Sequence, residues 1–318
     1  MLQNKIAEQI VQEVSKAIIG KRETIEAVLC AILSGGHVLI EDIPGVGKTT
    51  LAQSFSMVLG LEQKRIQFTP DVLPSDITGF SMYRKDQDRF VYQPGAVMCN
   101  LFLADEINRT SPKTQSALLE VMEEYSVTVD GVTHAVPQPF FVIATENPMG
   151  YTGTQMLPES QLDRFQICVS MGYPSAENEI VILKNRSARN LLGGIRPVID
   201  RERLIGLQQE AANVMIKDVI YEYMVALSAE SRKHPGIELG ISPRGTLALA
   251  SMARANAFIH GRGYVIPEDV SRVFPLVAVH RLILSQEAKM NHRSTEEIIA
   301  QLLERVEAPV PERMSIRV

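Results

Sequence analysis

The stretch Gly45-Val46-Gly47-Lys48-Thr49-Thr50 constrains this chain more than any other. It follows an apolar run, His37-Val38-Leu39-Ile40, and opens into a helix-like segment, Leu51-Ala52-Gln53-Ser54-Phe55. A glycine turn between a strand and a helix lets successive backbone N–H groups converge on one point. The helix N-terminus brings a partial positive charge to the same place. Such a cradle suits a triphosphate: Lys48 reaches the outer phosphates and the Thr49 hydroxyl is available to Mg²⁺. Pro44 and Val46 complete the loop. The full glycine-loop pattern has glycine at position 42, where this chain has Asp42. Aspartate tolerates left-handed backbone better than most residues, so Asp42 is expected to close the first turn in glycine's place.

Around the loop, short apolar runs alternate with helical patterns. Strands are expected at His37–Glu41, Arg65–Phe68, Leu101–Ala104, Phe140–Thr145 and Gln166–Val169. Two helices precede them, Leu2–Ala17 with apolar residues at helical spacing and Arg22–Ser34, which Gly35-Gly36 closes. Alternation of this kind predicts an α/β fold with a parallel five-stranded sheet covered by helices on both faces. Ligands of such sheets sit at the carboxyl ends of the strands. From Ser175 onward the strand signals stop, and helical patterns fill Glu177–Asn190, Asp200–Met215, Ile220–Lys233, Arg244–Ile259 and Pro267–Leu284. The expected division is an α/β domain over 1–174 and an all-helical domain over 175–318. At 318 residues both can bury a core.

Two other strand ends carry chemistry. Leu101-Phe102-Leu103-Ala104 runs into Asp105-Glu106, adjacent acids beside a Lys-Thr loop. Asp105 would hold Mg²⁺ through water, and Glu106 would polarise the water attacking a γ-phosphate. Phe140–Thr145 ends in Glu146-Asn147-Pro148, where the Asn147 amide could orient that water. Cys30, Cys99 and Cys168 lie in apolar runs without zinc or redox spacing, as expected of buried reduced thiols. No apolar run approaches the roughly 20 residues that span a membrane, and the N-terminus has no charged-then-apolar leader. A cytoplasmic location is expected.

Taken in order, these residues resemble the AAA+ ATPases and, within them, the MoxR family. The resemblance is carried by Glu41-Asp42-Ile43-Pro44-Gly45-Val46-Gly47-Lys48-Thr49, Leu103-Ala104-Asp105-Glu106-Ile107-Asn108-Arg109 and Ala144-Thr145-Glu146-Asn147-Pro148. Pro158-Glu159-Ser160-Gln161-Leu162-Asp163-Arg164-Phe165 and Ser242-Pro243-Arg244-Gly245 continue it over nearly the whole chain. It implies ATP and Mg²⁺ as ligands, an α/β domain followed by a helical lid, and assembly into a ring, a hexamer. By position it implies that Asn147 is sensor 1, Arg164 the arginine finger acting on a neighbour's ATP, and Arg244 sensor 2, reaching from the lid to the γ-phosphate. Arginine suits both tasks, because it stays charged and forks onto phosphate oxygens. Ile18-Ile19-Gly20 resembles the segment beside the adenine. Residues 74–98 resemble the helix-2 insert, with Phe90-Val91-Tyr92 as a strand. Residues 124–138 resemble the hairpin before sensor 1, turning at Asp130-Gly131.

The function this implies is Mg-ATP hydrolysis driving chaperone-like remodelling of a protein client, with a von Willebrand factor A domain protein as a partner. Alternatives are a nucleic-acid motor of the related MCM clade and a magnesium chelatase-type subunit. A net charge of −5, with Asp130 at the hairpin turn, argues against nucleic acid. Arg109 reads as a surface arginine.

Overall fold

The computed structural model describes residues 2, 4–86, 88–147, 156–186 and 192–309. In chain order the first half runs α1 Lys5–Ser15, α2 Arg22–Leu33, β1 Val38–Glu41, α3 Lys48–Val58, β2 Gln63–Gln67, α4 Pro74–Thr78, β3 Gly79–Arg84, β4 Arg89–Pro94 and β5 Leu101–Asp105. A 3₁₀ turn at Ile107–Arg109 leads into α5 Pro112–Glu124, β6 Ser126–Val129, β7 Val132–Ala135, β8 Phe141–Glu146, α6 Glu159–Leu162 and β9 Ile167–Val169. The second half holds α7 Ala176–Arg186, α8 Arg201–Ala212, α9 Asp218–Lys233, β10 Ile237–Leu239, α10 Pro243–Ile259, α11 Pro267–Ala278, β11 Ile283–Leu284, α12 Gln286–Met290 and α13 Thr295–Arg305.

The central sheet has five strands in the order β2-β5-β8-β1-β9, all parallel. Its strands are apolar on both sides because both sides are covered. Val38, Ile40, Leu101, Leu103, Phe141, Ile143 and Ile167 point into a core built with α1, α2, α3 and the lid helices. Leu39, Phe102, Ala104, Val142, Ala144 and Cys168 point into a second core under α5. The three cysteines are all buried and free, as the sequence predicts.

Two hairpins project beyond the sheet. β3 pairs with β4, so the insert contains a strand partner for Phe90-Val91-Tyr92 that its sequence does not announce. β6 pairs with β7 around Asp130-Gly131, both at positive φ (49° and 77°), the geometry a two-residue hairpin turn requires. Tyr92 of one hairpin stacks on His134 of the other at 3.9 Å between ring centroids.

The lid departs from an all-helical reading in one respect. The expected helix Pro267–Leu284 stops at Ala278, and Ile283–Leu284 returns to pair antiparallel with β10. Strands of two and three residues are too short to leave a period in the sequence. The expected helix from Glu177 is observed to Arg186; its continuation to Asn190 lies outside the described residues.

Lid and core are joined by Arg281, which is buried (6% exposed) directly after α11. Its Nε donates to Asp163 Oδ1 at 2.7 Å, and its Nη2 to the carbonyls of Phe165 (2.5 Å) and Asp163 (3.1 Å). Nη1 donates to the carbonyls of Val277 (2.6 Å) and Gln166 (3.2 Å). Ser242, the N-cap of α10, donates its hydroxyl to the other Asp163 oxygen at 2.8 Å. Removing one partner of a buried, fully hydrogen-bonded pair strands the other without compensation. Arg281→Ala is therefore expected to cost about 3 kcal/mol of stability, read as a lower urea midpoint.

Candidate active site

Gly45 and Gly47 sit at φ 86° and 95°, and the helix α3 begins at Lys48. A Cβ on Gly45 would meet nothing, so the loop mouth is open there; one on Gly47 would approach Ile18 Cδ1 and Met171 Cε at 3.8 Å. Both glycines hold left-handed backbone that a side chain would strain. Pro44 is exposed, whereas Val46 packs on the core and fixes the loop from below. Lys48 is buried and donates Nζ to the Asp42 carbonyl at 2.6 Å, which aims its ammonium back across the loop. Burial pulls the Lys48 pKa down, opposed by the charges of Asp42, Asp105 and Glu106.

Asp42 does not take the left-handed turn that its place in the pattern suggests; it is absent from the positive-φ residues. Its carboxylate does a different job. Oδ2 accepts from Ser170 Oγ (3.0 Å) and from the N–H groups of Met171 (2.5 Å) and Gly172 (2.7 Å), and Oδ1 accepts from Ile43 N–H (2.8 Å). The loop is thereby tied to the chain leaving β9. Burial raises the Asp42 pKa, but the four donors outweigh it and the net shift is downward.

The sheet order decides what faces the loop. β8 lies between β5 and β1, so Asn147, just past β8, stands between the acids of β5 and the loop of β1. Asn147 is buried, and its carbonyl accepts from Asn108 Nδ2 at 3.1 Å. Thr145 is fully buried and links the acids: its hydroxyl donates to Asp105 Oδ1 at 2.7 Å and accepts from Glu106 N–H at 2.8 Å. That bond accompanies the left-handed backbone of Glu106 (φ 57°), a conformation that costs a non-glycine residue on the order of 1 kcal/mol.

Thr49 Oγ1 lies 3.4 Å from Asp105 Oδ2. One hydroxyl and one carboxylate at this spacing fit Mg²⁺, which takes few protein ligands and completes its shell with water and phosphate oxygens. Thr49 and Asp105 would hold the ion, which supplies charge neutralisation at the β- and γ-oxygens. Two arginines engage the acids: Arg65 Nη2 donates to Asp105 Oδ2 at 2.7 Å, and Arg109 Nη1 to Glu106 Oε2 at 2.6 Å. Arg109 is exposed, as a surface arginine, and its guanidinium pairs with Glu106.

Beside the loop, Ile18 rather than Ile19 packs against Gly47; Ile19 is half-buried, and Gly20 (φ 73°) lies under the Asn178 amide, which a Cβ would have to displace. Thr50 is half-buried in the first turn of α3.

Arg164 and Arg244 are not at this end of the sheet. Gln166 directly precedes β9 and its N–H donates to the His37 carbonyl, directly before β1, at 2.8 Å; the His37 ring bonds the Met122 carbonyl at 2.9 Å. These residues mark the amino ends of the strands. Arg164 lies there, donating Nη1 to the Leu119 carbonyl at 2.6 Å and pairing with Glu123 at 3.2 Å. Arg244 pairs with the same Glu123.

Residues 37–167 match the ATPase family associated with various cellular activities (AAA), and residues 229–302 match the AAA lid domain. The chain is 39% identical to Chaperone MoxR1 of Mycobacterium tuberculosis over 95% of its own length and 82% of that protein's. The chain belongs to the MoxR family of AAA+ ATPases. It is also 48% identical to YeaC of Bacillus subtilis, covering 96% of each chain. A crystal structure from Cytophaga hutchinsonii superposes with a TM-score of 0.89 at 34% identity, covering 96% of this chain and 95% of that one.

Membership in an ATPase family leaves several of its site features unannounced by motif. Asp42's clamp, Arg65 on Asp105, Thr145 between the acids and Glu123 between two arginines all depend on partners distant in sequence. Glu146 is another. It is 1% exposed at the end of β8, opposite Glu41 in the β1–β8 register, and its Oε1 has no hydrogen-bond partner among the described residues. Burial, with the Glu41 charge adding, pushes its pKa up to about 7 from 4.5. The folded protein therefore keeps a proton that the unfolded chain releases between these values, and stability falls as pH rises through the window. Glu146→Gln mimics the neutral acid. It is expected to flatten this slope and to raise stability at pH 8 by at most about 3 kcal/mol, with little effect at pH 4.5, as urea unfolding at the two pH values would register.

Proposed function

We propose that this ATPase works as a ring, a hexamer, in which each ATP lies between two copies and hydrolysis drives chaperone-like remodelling of a protein client. The observation that supports it is the polarity of the sheet. Lys48, Glu106 and Asn147 cluster at the carboxyl ends of the strands, whereas Arg164 and Arg244 lie at the amino ends. α5, which carries Glu123 near its far end, is 13 residues long, so about 19 Å of helix separates the two ends. An arginine that far from its own loop serves a triphosphate by meeting the loop of another copy.

In this reading the loop N–H groups and Lys48 bind and orient the triphosphate, and Thr49 and Asp105 hold Mg²⁺. Glu106, released from Arg109, takes the proton of the attacking water, while Asn147 fixes that water's position. Arg164 and Arg244 of the adjoining copy stabilise the charge that develops on the transferred phosphoryl group. Ile18, Ile19 and Gly20 flank the adenine. The α/β domain ends near residue 174 and the lid carries Arg244, so a change in lid angle moves Arg244 relative to Arg164 and to the adjoining copy's site. The two hairpins face the client. They carry polar tips but apolar flanks, with Phe80, Met82 and Phe90 exposed on the β3–β4 hairpin and Val132 on the β6–β7 hairpin. Support for a protein client comes from a relative called a chaperone; a von Willebrand factor A domain protein is the partner class, and the cytoplasm the compartment. No described helix is long and apolar enough to cross a membrane.

Two outcomes are expected. Glu106→Gln retains ATP binding but loses turnover by a factor of about 100 or more, measured by nucleotide binding beside steady-state hydrolysis. Lys48→Ala and Arg164→Ala are each inactive alone, and an equal mixture of the two recovers activity, because mixed rings contain sites with an intact Lys48 facing an intact Arg164. A mixture as inactive as its components sinks the shared site.

A further inference from the structure

Glu123 stands where a charge is unfavourable for the helix that carries it. α5 has no basic residue in its last turn and ends instead in Glu123-Glu124, next to the negative end of its own dipole. A local rule broken without local compensation points to a role elsewhere. The compensation is tertiary: Glu123 Oε2 receives Arg164 Nη2 at 3.2 Å, and Oε1 receives Arg244 Nη2. One oxygen serves each guanidinium, which is how two oxygens of a terminal phosphate would be held. The two arginines come from different parts of the chain, one before β9 and one on the first turn of α10, and Glu123 is the carboxylate they share. Each also has its own anchor. Arg164 donates to the Leu119 carbonyl, and Arg244 is fixed by a helix whose N-cap, Ser242, is bonded to Asp163.

We propose that Glu123 is an internal stand-in for the neighbouring copy's phosphate, occupying Arg164 and Arg244 until ATP in the next site displaces it. The inference rests on the shared-site reading above. A phosphate that takes both arginines must first break two ion pairs. All three side chains are partly exposed, at 29% for Arg164, 45% for Arg244 and 38% for Glu123, so displacement is easy but not free; an exposed pair opposes it by at most a factor of about five. With the carboxylate removed, Arg164 keeps its bond to the Leu119 carbonyl and the Arg244 backbone keeps its place on α10, so both guanidinium groups lose their competitor. Glu123 is a positioning residue: it acts through the arginines and touches no reacting atom.

The test is Glu123→Gln in the full chain, with ATPase rate recorded against ATP and against protein concentration, and assembly followed by sedimentation velocity with ATP. The expected result is a KM for ATP about 3- to 10-fold lower and assembly at lower protein concentration, the effect falling on KM rather than kcat. A reduced kcat with unchanged KM overturns the proposal, since Glu123 then organises the arginines instead of competing for them. So does a variant that matches wild type in both. Glu123→Asp, which keeps the charge but shortens its reach to two guanidinium groups, gives the same expected fall in KM and serves if the glutamine variant does not fold. Arg164→Ala and Arg244→Ala are measured alongside. If both hydrolyse ATP like wild type, the arginine reading fails and takes the proposal with it. If both are inactive while neither Glu123 variant shifts KM, the arginine reading stands and the Glu123 proposal alone is overturned.

Discussion

Arg281 is the side chain on which the arrangement of the two domains depends. It comes from the lid, lies buried among backbone carbonyls of the core, and closes on Asp163. A guanidinium in such surroundings is costly unless nearly all its donors are used, and here three nitrogens find five protein oxygens. Burial pulls its pKa down, and the Asp163 carboxylate opposes that shift. Asp163 directly precedes Arg164, and Ser242, which caps α10 ahead of Arg244, bonds the same aspartate. The bolt between domains thus also sets the distance between two arginines on different domains. Their meeting on Glu123 follows from it.

Charge is arranged differently at the two ends of the sheet. At the carboxyl ends, carboxylates outnumber the buried ammonium of Lys48: Glu41, Asp42, Asp105, Glu106 and Glu146 all gather there. Asp42 collects four donors, Asp105 takes Thr145 and Arg65, Glu106 takes Arg109, and Glu146 remains protonated to near neutrality through desolvation. At the amino ends two arginines, Arg164 and Arg244, share one carboxylate, Glu123.

Much of this arrangement is legible in the residues alone. The glycine loop, the paired acids at a strand end and Asn147 at another identify themselves because local backbone geometry and adjacent side chains carry their chemistry. The five strands of the sheet fall within a few residues of their apolar runs, since runs bounded by turns are local signals. The displaced start of β2 has a simple cause: it is an edge strand of polar residues, Gln63 to Gln67, and pairing with β5 rather than hydrophobicity defines it. The short pair β10–β11 escapes a sequence reading because two and three residues leave no period, and β3 because its pairing with β4 is what defines it. Asp42 reads as a substitute for glycine because sequence shows position, not the partners of its carboxylate.

Local residues define the parts: a phosphate cradle, a hydrolytic acid pair, two arginines in a recognisable order, and enough apolar periodicity to bury them in an α/β core and a helical lid. These are properties of neighbouring residues, and neighbours are what a sequence displays. Which parts share a place follows from the fold. The strand order sets Asn147 between the acids and the loop, the parallel direction of the sheet sends Arg164 and Arg244 to the end opposite Lys48, and a buried ion pair from the lid fixes them against Glu123. Each depends on contacts between residues far apart in the chain, where packing and desolvation, not local propensity, set the outcome.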